Sequence, residues 1–396
     1  MRTVYLRSIC VAVIILVGSV SAQQSDREKF VDAIRAELAG PEFDRTLAAV
    51  EIRDCSSGAV LFEQHATLLL RPASNAKLFP SAAAVLALTE DAGYRTSIFA
   101  ADSGFRTLIF MGGGDPLLGL KDIQKLAEKA FAAGVTQIDT LITDGSLYDT
   151  EFYGAGWMWD DEPDPFMPYL SAFSLERNVL RVTVQAPART GMPVEVSVHP
   201  SGSAIRIENN ARSAARGTPS IRKVPRSNRI IIDGKLTAGK HITERFSLWD
   251  PQGVAAEQFL TLCRAQGIDT DSTIIIHNRL ISETRGIEIA AVWRSIKPIL
   301  QEMNMESNNL CAESVLRLLA RQDARTRGLS TAEGLRAMKR TLRAAGIPTD
   351  AVHLRDGSGI SFYNLLSAES IGNLLATIAT HSSFDRFVRT LSLIHI

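Results

Sequence analysis

The chain has 396 residues, more than one hydrophobic core usually serves, so we expect two or three structural units. Lys and Arg together number 43, and so do Asp and Glu, which leaves no net formal charge at neutral pH. This balance, without any run of basic residues, argues against a nucleic-acid-binding protein and gives no reason to expect an acidic partner.

The first 22 residues predict a secretory signal peptide that is cleaved on export. A basic start precedes an apolar run from Ile9 to Val17, and Val20 and Ala22 occupy the small-residue positions of a cleavage site. The run is too short to cross a bilayer, which takes about 20 apolar residues. We therefore expect an exported protein with no transmembrane helix after cleavage.

The cysteines that follow this segment are Cys55, Cys263 and Cys311, an odd and widely spaced set that does not form a disulfide framework. The seven histidines include no closely spaced pair, and no Cys-x-x-Cys occurs. The sequence therefore supports neither a metal site nor a bound cofactor.

Two short strands, Val50 to Cys55 and Ala59 to Phe62, are predicted to form a hairpin. The chain then enters a predicted helix that begins near Ser74 and continues through the alanine-rich run Ala82 to Leu88. Pro80 would lie inside this helix, where its missing N–H and its ring cost about 3 kcal/mol. We therefore expect a bend or a 3₁₀ turn at that point.

Ser74 and Lys77 lie one helical turn apart at the start of this helix. Residues at this spacing share a helix face, about 5–6 Å apart at Cβ, so the lysine amine can take the serine proton and activate a nucleophile. Unpaired N–H groups of a first helical turn can also stabilise an oxyanion. The alternative is that Ser74 only caps the helix.

Residues 96–278 have a different pattern, with short strands, turns and one long aperiodic loop at Tyr148 to Pro168. Gly112 to Gly114 lack the Gly-Lys-Ser/Thr of a phosphate-binding loop, so a tight turn is predicted there. The polar run Asn209 to Asn228 is predicted to form loops of a small module. The other predicted elements are a helix at Lys121 to Ala133 and strands at Thr96 to Ala100, Thr107 to Met111, Ile138 to Thr143, Val179 to Gln185, Val194 to Val198, Ala204 to Ile207 and Arg229 to Ile232.

The last part of the chain is mainly helical. Asp250 and Pro251 are typical of a helix start, through a cap and a first-turn proline. Apolar residues recur at helical spacing from Cys311 to Leu319, directly after Ser307-Asn308-Asn309. The other predicted elements are strands at Thr273 to His277 and Ile287 to Val292, a helix at Ile296 to Met303, two helices around Leu335 to Ala345 and Ile371 to Ile378, and a glycine turn at Arg355 to Ser361.

The triplet Ser307-Asn308-Asn309 supplies what the Ser74 and Lys77 pair lacks. A second hydroxyl can relay a proton to a leaving amine, while the Asn309 amide can bind a substrate carbonyl and hold a lysine ammonium. Taken alone, the triplet is most simply a helix cap.

S-x-x-K together with S-x-N forms two thirds of the signature of penicillin-recognising serine enzymes. The chain resembles the D-alanyl-D-alanine carboxypeptidase/endopeptidase family of low-molecular-mass penicillin-binding proteins from about residue 30 to about residue 390. The segments that carry the resemblance are Arg71-Pro-Ala-Ser74, Gly112-Gly-Gly-Asp-Pro116, Asp250-Pro251, Met303-Asn304, Ser307-Asn-Asn309 and Asp356-Gly-Ser-Gly359.

The resemblance implies an α+β fold, in which a β-lactamase/transpeptidase-like antiparallel sheet is flanked by helices and interrupted by a large β-rich insertion. The catalytic domain would comprise residues 23–95 and 279–396. The insertion would span residues 96–278, with a nested β module at about 188–245.

The same resemblance implies that Ser74 is the acylated nucleophile, Lys77 its general base, Ser307 a proton relay and Asn309 a residue that binds substrate and positions the lysine. The substrates implied are peptidoglycan stem peptides ending in D-Ala-D-Ala, with β-lactams as covalent inhibitors. The location implied is the periplasm of a bacterial cell envelope.

One departure from the family pattern concerns its third motif, Lys-Thr/Ser-Gly, which is absent from the printed sequence. The family pattern continues through Phe384 to Phe387, and the chain then ends at Ile396. We expect a truncation or frameshift that leaves the protein poorly stable and feebly active, since one lost oxyanion donor costs about 10²–10³ in rate. The alternatives are a wall-binding protein with impaired catalysis and a β-lactamase.

Overall fold

The computed structural model describes residues 26–278, 286–323 and 327–391. The predicted signal peptide and Cys10 lie outside these residues. The helices are α1 (26–38), α2 (Leu78–Ala87), α3 (Leu120–Ala132), α4 (Pro251–Ala265), α5 (Ile296–Met305), α6 (Asn309–Ala320), α7 (Thr331–Ala344), α8 (Ala368–Ala379) and α9 (Phe384–Val388).

The strands are short, and most of them lie between α2 and α4. They are β1 (Val50–Arg53), β2 (Val60–Gln64), β3 (Gly93–Ala100), β4 (Thr107–Met111), β5 (Thr140–Asp144), β6 (Val179–Gln185), β7 (Glu195–His199), β8 (Arg206–Asn209), β9 (Arg212–Ala214), β10 (Ser220–Lys223), β11 (Arg229–Asp233), β12 (Lys235–Thr237), β13 (His241–Ser247), β14 (Ile274–Asn278) and β15 (Ile287–Ser295).

The described chain divides into two compact units. The first contains residues 26–70 and Leu366–His381, and the second contains Arg71–Leu365 and the chain from Ser382 onward. In the first unit, β1 and β2 form an antiparallel hairpin and α8 packs against β1. The predicted hairpin is confirmed, with its first strand ending two residues earlier than expected.

The second unit contains a mixed five-stranded sheet in the order β14-β5-β4-β3-β15. Strands β14, β5 and β4 run parallel, whereas β3 pairs antiparallel with both β4 and β15. Helices α3 and α4 pack together and against this sheet. The combination of sheets and packed helices confirms the predicted α+β class.

The core beneath this sheet is aromatic at its centre. The Phe110 ring lies 5.0 Å from the Phe173 ring in an edge-to-face arrangement and 5.3 Å from the Phe259 ring. All three rings are fully buried. Such pairs add about 0.5–1.5 kcal/mol to the free energy gained by burial alone.

Strand β15 lies within the predicted catalytic segment 279–396, yet it pairs with β3 from the segment predicted to be inserted. One sheet therefore contains strands from both sides of the boundary expected at residue 278. The division into residues 23–95, 96–278 and 279–396 stays a prediction.

Three further sheets, β13-β6-β7, β10-β11-β8 and β12-β9, lie at and around the small module predicted at about residues 188–245, which stays a prediction. The run from Asn209 to Asn228, predicted to be loops, instead contains β9 and β10, so that prediction was wrong. These strands are short, and their buried residues, Ser213 and Lys223, are polar, so they lack the alternation of apolar and polar residues that is typical of a strand with one buried face.

Helix α6 lies at the centre of the helical part of the second unit, packed against α2, α5 and α7. Every residue from Leu310 to Ala320 is buried, as expected for a helix surrounded by other elements. Helix α7 approaches it closely at Gly334, where a Cβ atom would lie 2.5 Å from the Leu316 carbonyl oxygen.

We predict that Gly334→Ala destabilises the protein by about 1–3 kcal/mol, because the added methyl group forces α7 away from α6. The better helix propensity of alanine, about 1 kcal/mol, opposes this effect without cancelling it. Urea unfolding followed by circular dichroism measures the change. Arg336→Ala, on the exposed side of α7, is the control and should stay within about 0.5 kcal/mol of wild type. Equal stability of the two variants would contradict the close approach.

Candidate active site

Ser74 and Lys77 lie on a 3₁₀ turn, Ala73–Lys77, that leads directly into α2. Residues three apart are eclipsed in a 3₁₀ helix, so the two side chains stand over one another. The Lys77 Nζ donates to the Ser74 Oγ across 3.1 Å. The predicted pairing is therefore present, although on a 3₁₀ turn rather than an α-helical one.

Pro80 is the third residue of α2, within its first turn. The expected 3₁₀ turn exists, but it precedes Pro80 instead of surrounding it. Because a first-turn N–H has no partner inside the helix, a proline at this point loses no helical hydrogen bond. The expected cost of a proline in a helix interior therefore does not arise.

The Ser307 triplet lies between α5 and α6, at a helix start as predicted. Asn308 caps α6 by accepting a hydrogen bond from the Cys311 N–H across 3.1 Å. Ser307 has a left-handed backbone with φ of 54°, and its Oγ donates to the Ser74 Oγ across 2.8 Å. Both serines are exposed, so a substrate can reach them.

Asn309 is the first residue of α6, and its side chain holds two groups at once. Its Oδ1 accepts from the Lys77 Nζ across 2.6 Å, and its Nδ2 donates to the Phe166 carbonyl across 2.7 Å. The structure thus brings all four residues predicted from the sequence, Ser74, Lys77, Ser307 and Asn309, into one cluster.

Lys77 is 3% exposed, and its ammonium group donates to three oxygens. Besides Ser74 and Asn309, it contacts the Ser358 carbonyl across 2.6 Å. Burial lowers the pKa of Lys77 from 10.5 to about 8, although the negative charges of Asp356 and Glu313 act to raise it. A lysine with this pKa can lose its proton near neutral pH, as a general base must.

The turn that carries Ser358 was predicted as a glycine turn, without a role for any of its residues. Its Asp356 carboxylate is fully buried. Gly359 has φ of 90°, and a Cβ atom there would lie 1.9 Å from the Ala73 carbonyl oxygen, so only glycine fits. Asp356 accepts hydrogen bonds from the Trp157 indole, the Ser358 hydroxyl, the Gly359 and Ser361 N–H groups, and the Asn364 side chain.

Glu313 joins this turn to α6, one helical turn beyond Asn309. Its Oε1 accepts from the Gly357 and Ser358 N–H groups at 2.8 and 3.0 Å. Burial, with the nearby Asp356 charge, raises the pKa of Glu313 to about 7. Glu313 thereby holds in place the peptide whose carbonyl contacts Lys77.

Sequence reasoning missed Glu313 and Asp356, although one signal for Glu313 was available. Asn309, Glu313 and Arg317 recur every four residues along a helix whose other residues are mostly apolar. A charged residue on a fully buried helix usually has a specific partner, because an unpaired buried charge is costly. Here the Arg317 guanidinium lies 3.7 Å from the Glu313 carboxylate.

Two further contacts fix the position of the site. Asn304 of α5 donates to the Ser81 hydroxyl of α2 across 2.8 Å, which ties together the two helices adjoining Ser307 and Ser74. Trp157 belongs to the long aperiodic loop and donates to Asp356 across 2.8 Å. The loop was predicted from the sequence, but its contribution to the site was not.

The family comparison agrees with this geometry. A sequence model of the D-Ala-D-Ala carboxypeptidase 3 (S13) family matches residues 30–394. The chain belongs to this family. The resemblance inferred from the motifs is therefore confirmed.

Curated relatives include a D-alanyl-D-alanine carboxypeptidase of Actinomadura sp., 26% identical over 91% of this chain and 69% of its own length. Carboxypeptidase DacB of Mycolicibacterium smegmatis is also 26% identical, over 91% of this chain and 66% of its own length. The chain thus spans about two thirds of the length of these relatives.

Solved structures with a similar fold include penicillin binding protein 4 (dacB) from Haemophilus influenzae. Its TM-score is 0.74 at 22% identity, covering 86% of this chain and 76% of that one. A second structure of that protein, complexed with a β-lactam, matches with a TM-score of 0.68 at 21% identity, over 87% of this chain and 76% of that one. At this identity the likeness concerns the fold.

Within residues 26–278, 286–323 and 327–391, no group of three or more His, Cys, Asp or Glu side chains is placed to hold a metal ion. Over the same residues, no helix has the length and apolar character needed to cross a bilayer. The cysteines in that part of the chain, Cys55, Cys263 and Cys311, are free thiols.

We predict that Asp356→Ala destabilises the protein by about 3 kcal/mol or more, because several buried donors lose their acceptor. Thermal or urea unfolding measures the loss. Asp350→Ala is the matched control: its carboxylate is 95% exposed and pairs with Arg343, so its removal should cost less than about 0.5 kcal/mol. A similar loss in both variants would show that the buried network adds nothing to stability.

Proposed function

We propose that Ser74 is the nucleophile of a serine-type D-alanyl-D-alanine carboxypeptidase, with Lys77 as its general base and Ser307 as its proton relay. The observation that carries this proposal is the position of the Ser74 Oγ, within hydrogen-bond distance of both the Lys77 Nζ and the Ser307 Oγ. Family membership supplies the reaction class.

In the first step, the neutral amine of Lys77 takes the Ser74 proton while the Ser74 Oγ attacks the carbonyl carbon between the two D-alanines. The scissile C–N bond breaks, and the terminal D-alanine leaves after its nitrogen receives a proton through Ser307. An ester on Ser74 remains. Water then cleaves this ester, and Ser74 regains its proton.

The hydrogen bonds around Lys77 suit these steps. When Lys77 is charged, it donates to Ser74, Asn309 and the Ser358 carbonyl. After it loses a proton, two donors remain for Asn309 and Ser358, and the free lone pair points to the Ser74 hydroxyl. Asn309 and Ser358 therefore keep the amine aligned in both protonation states.

Peptidoglycan stem peptides ending in D-Ala-D-Ala are the proposed substrates, in carboxypeptidase or endopeptidase action. β-Lactams are the proposed covalent inhibitors, because their strained amide presents a carbonyl to the same serine. Such a substrate places the protein outside the cytoplasm, which supports the predicted export to the periplasm.

A second candidate function is binding to the cell wall with impaired catalysis. A β-lactamase, the other alternative, additionally needs a base that activates a deacylating water. In these proposals a stable penicilloyl adduct indicates the peptidase, rapid release indicates the lactamase, and no adduct indicates the wall-binding protein.

We predict that a fluorescent penicillin labels the wild-type protein and that Ser74→Ala abolishes the label, as read on a denaturing gel. Ser307→Ala should slow labelling about 10²–10⁴-fold, the usual contribution of a proton-transfer group. Ser201→Ala, at an exposed serine away from the site, should label like wild type. A label that persists in Ser74→Ala would disprove the assignment of the nucleophile.

We predict that the second-order rate constant for penicillin acylation rises with pH through about 8, the pKa of Lys77, because only the neutral amine acts as a base. The Glu313 charge raises that pKa. Glu313→Gln removes the charge but keeps an acceptor for the Gly357 and Ser358 N–H groups, so the midpoint should move to lower pH.

Stopped-flow acylation across pH 5–10 measures this midpoint. Glu90→Gln removes an equivalent charge from an exposed position and should leave the midpoint unchanged. An unmoved or raised midpoint in Glu313→Gln would show that the Glu313 charge does not act on the general base.

A further inference from the structure

Glu162 and Lys223 form a buried ion pair that the reaction described above does not use. The Lys223 Nζ donates to the Glu162 Oε1, and the two side chains are 0% and 5% exposed, respectively. Glu162 belongs to the long aperiodic loop, whereas Lys223 is the last residue of β10. The pair therefore joins the loop to a strand that lies 61 positions further along the chain.

The stability of the fold does not by itself explain such a pair. Taking two charges out of water costs about as much as their attraction returns, so replacing a buried ion pair by apolar residues is often neutral or stabilising. Burial lowers the pKa of Lys223, while the Glu162 carboxylate acts to raise it. The pair does fix a position, because removing either partner leaves a buried charge unsatisfied.

Further contacts hold the loop at the same point. The other Glu162 oxygen, Oε2, accepts from the Arg226 N–H across 2.9 Å, in the turn between β10 and β11. Ser247, at the end of β13, donates its hydroxyl to the Glu162 carbonyl and its N–H to the Pro163 carbonyl across 3.0 Å. The side chain and the backbone of Glu162 are therefore both held by neighbouring strands.

The loop reaches the candidate active site on both sides of Glu162. Before it, the Trp157 indole donates to Asp356, and after it, the Phe166 carbonyl accepts from the Asn309 side chain. Asp356 shapes the turn beside Lys77, and Asn309 contacts the Lys77 ammonium group directly. Glu162 thus lies between the two points at which the loop supports the general base.

Tight turns connect Glu162 with the Phe166 carbonyl. The Asp164 N–H donates to the Asp161 carbonyl across 3.0 Å, and the Asp164 Oδ1 accepts from the Phe166 N–H, also across 3.0 Å. The Met167 N–H donates to the Asp164 carbonyl across 3.1 Å. Because these hydrogen bonds leave little slack, a displacement of Glu162 would also displace the Phe166 carbonyl.

We propose that Glu162 and Lys223 are positioning residues for the attack by Ser74. They hold the loop in the conformation in which the Phe166 carbonyl orients the Asn309 amide and Trp157 supports the turn beside Lys77. This inference rests on the proposed function for the reaction. It gives the hairpin of β10 and β11 a role in acylation that requires no contact with the substrate.

The experiment begins with Lys223→Met, which removes the charge and keeps a long side chain. Rapid mixing with a fluorescent penicillin gives the acylation rate constant at saturation and the fraction of protein that becomes labelled. The rate constant should fall about tenfold or more, since misplacing a reacting group by about 1 Å can cost 10²-fold. A pair that only stabilised the fold would lower the labelled fraction and leave the rate constant unchanged.

Glu162→Gln/Lys223→Met is the second variant, because Lys223→Met alone leaves a buried carboxylate without its partner. The double variant contains neither charge, so it should melt at a higher temperature than Lys223→Met. Its rate constant should nevertheless stay low, because the neutral side chains no longer fix the loop. Recovery of the wild-type rate constant together with stability would overturn the proposal.

Ile232→Ala is the matched control for stability. Ile232 is a fully buried residue of β11, and its truncation leaves a cavity beneath the same hairpin. This variant should lower the melting temperature and the labelled fraction but keep the wild-type rate constant. A rate constant as low as that of Lys223→Met would show that loss of stability alone explains the effect.

Hydrogen exchange followed by mass spectrometry tests the pair without any reaction. The amides of residues 161–167 should exchange faster in Lys223→Met and in the double variant, but not in Ile232→Ala, because they open locally. Unchanged exchange in Lys223→Met, or a wild-type rate constant, would overturn the proposal. Wild-type protein that takes no label would refute the proposed function instead, and the exchange result would then decide on the pair alone.

Discussion

The buried ammonium group of Lys77 is the contact on which the rest of the site depends. It joins three parts of the chain that are distant in sequence: the 3₁₀ turn with Ser74, the start of α6 with Asn309 and the turn with Ser358. Taking such a charge out of water is expensive unless every donor finds an acceptor. The need to satisfy it therefore fixes the relative positions of these three segments.

The surrounding carboxylates show how a buried charge is tuned as well as held. Asp356 and Glu313 oppose the effect of burial on the Lys77 pKa, but neither contacts Lys77 in a direct ion pair. Both carboxylates instead accept hydrogen bonds from backbone N–H groups of the glycine turn, and Asp356 also accepts from side-chain donors. The same carboxylates thus set the electrostatics and the shape of the turn.

The sequence allowed the four site residues to be predicted because their spacing is local and their chemistry lies in their side chains. Ser74 and Lys77 form one turn, and Ser307 and Asn309 form one triplet. The role of Ser358 could not be predicted in this way, since its contribution is a backbone carbonyl. The place of Pro80 in the first turn of α2 could not be predicted either. Helix propensity does not distinguish the 3₁₀ turn that precedes α2 from an α-helical start.

The strands of the small module show a different limit. β9 and β10 are short; β9 pairs in parallel with β12, which is not its neighbour in the chain, and β10 pairs antiparallel with β11, the next strand. Polar composition alone therefore suggested loops. Pairing with other segments decides such strands, and their own residue types give little sign of it.

The long aperiodic loop has one more consequence. It supplies the indole of Trp157 to Asp356 and the carbonyl of Phe166 to Asn309, two contacts that support groups around the lysine. A miniaturised version of this protein, reduced to the helices that carry its serines, would lose both supports. The segment that looks dispensable in the sequence is part of the frame that keeps the reactive groups aligned.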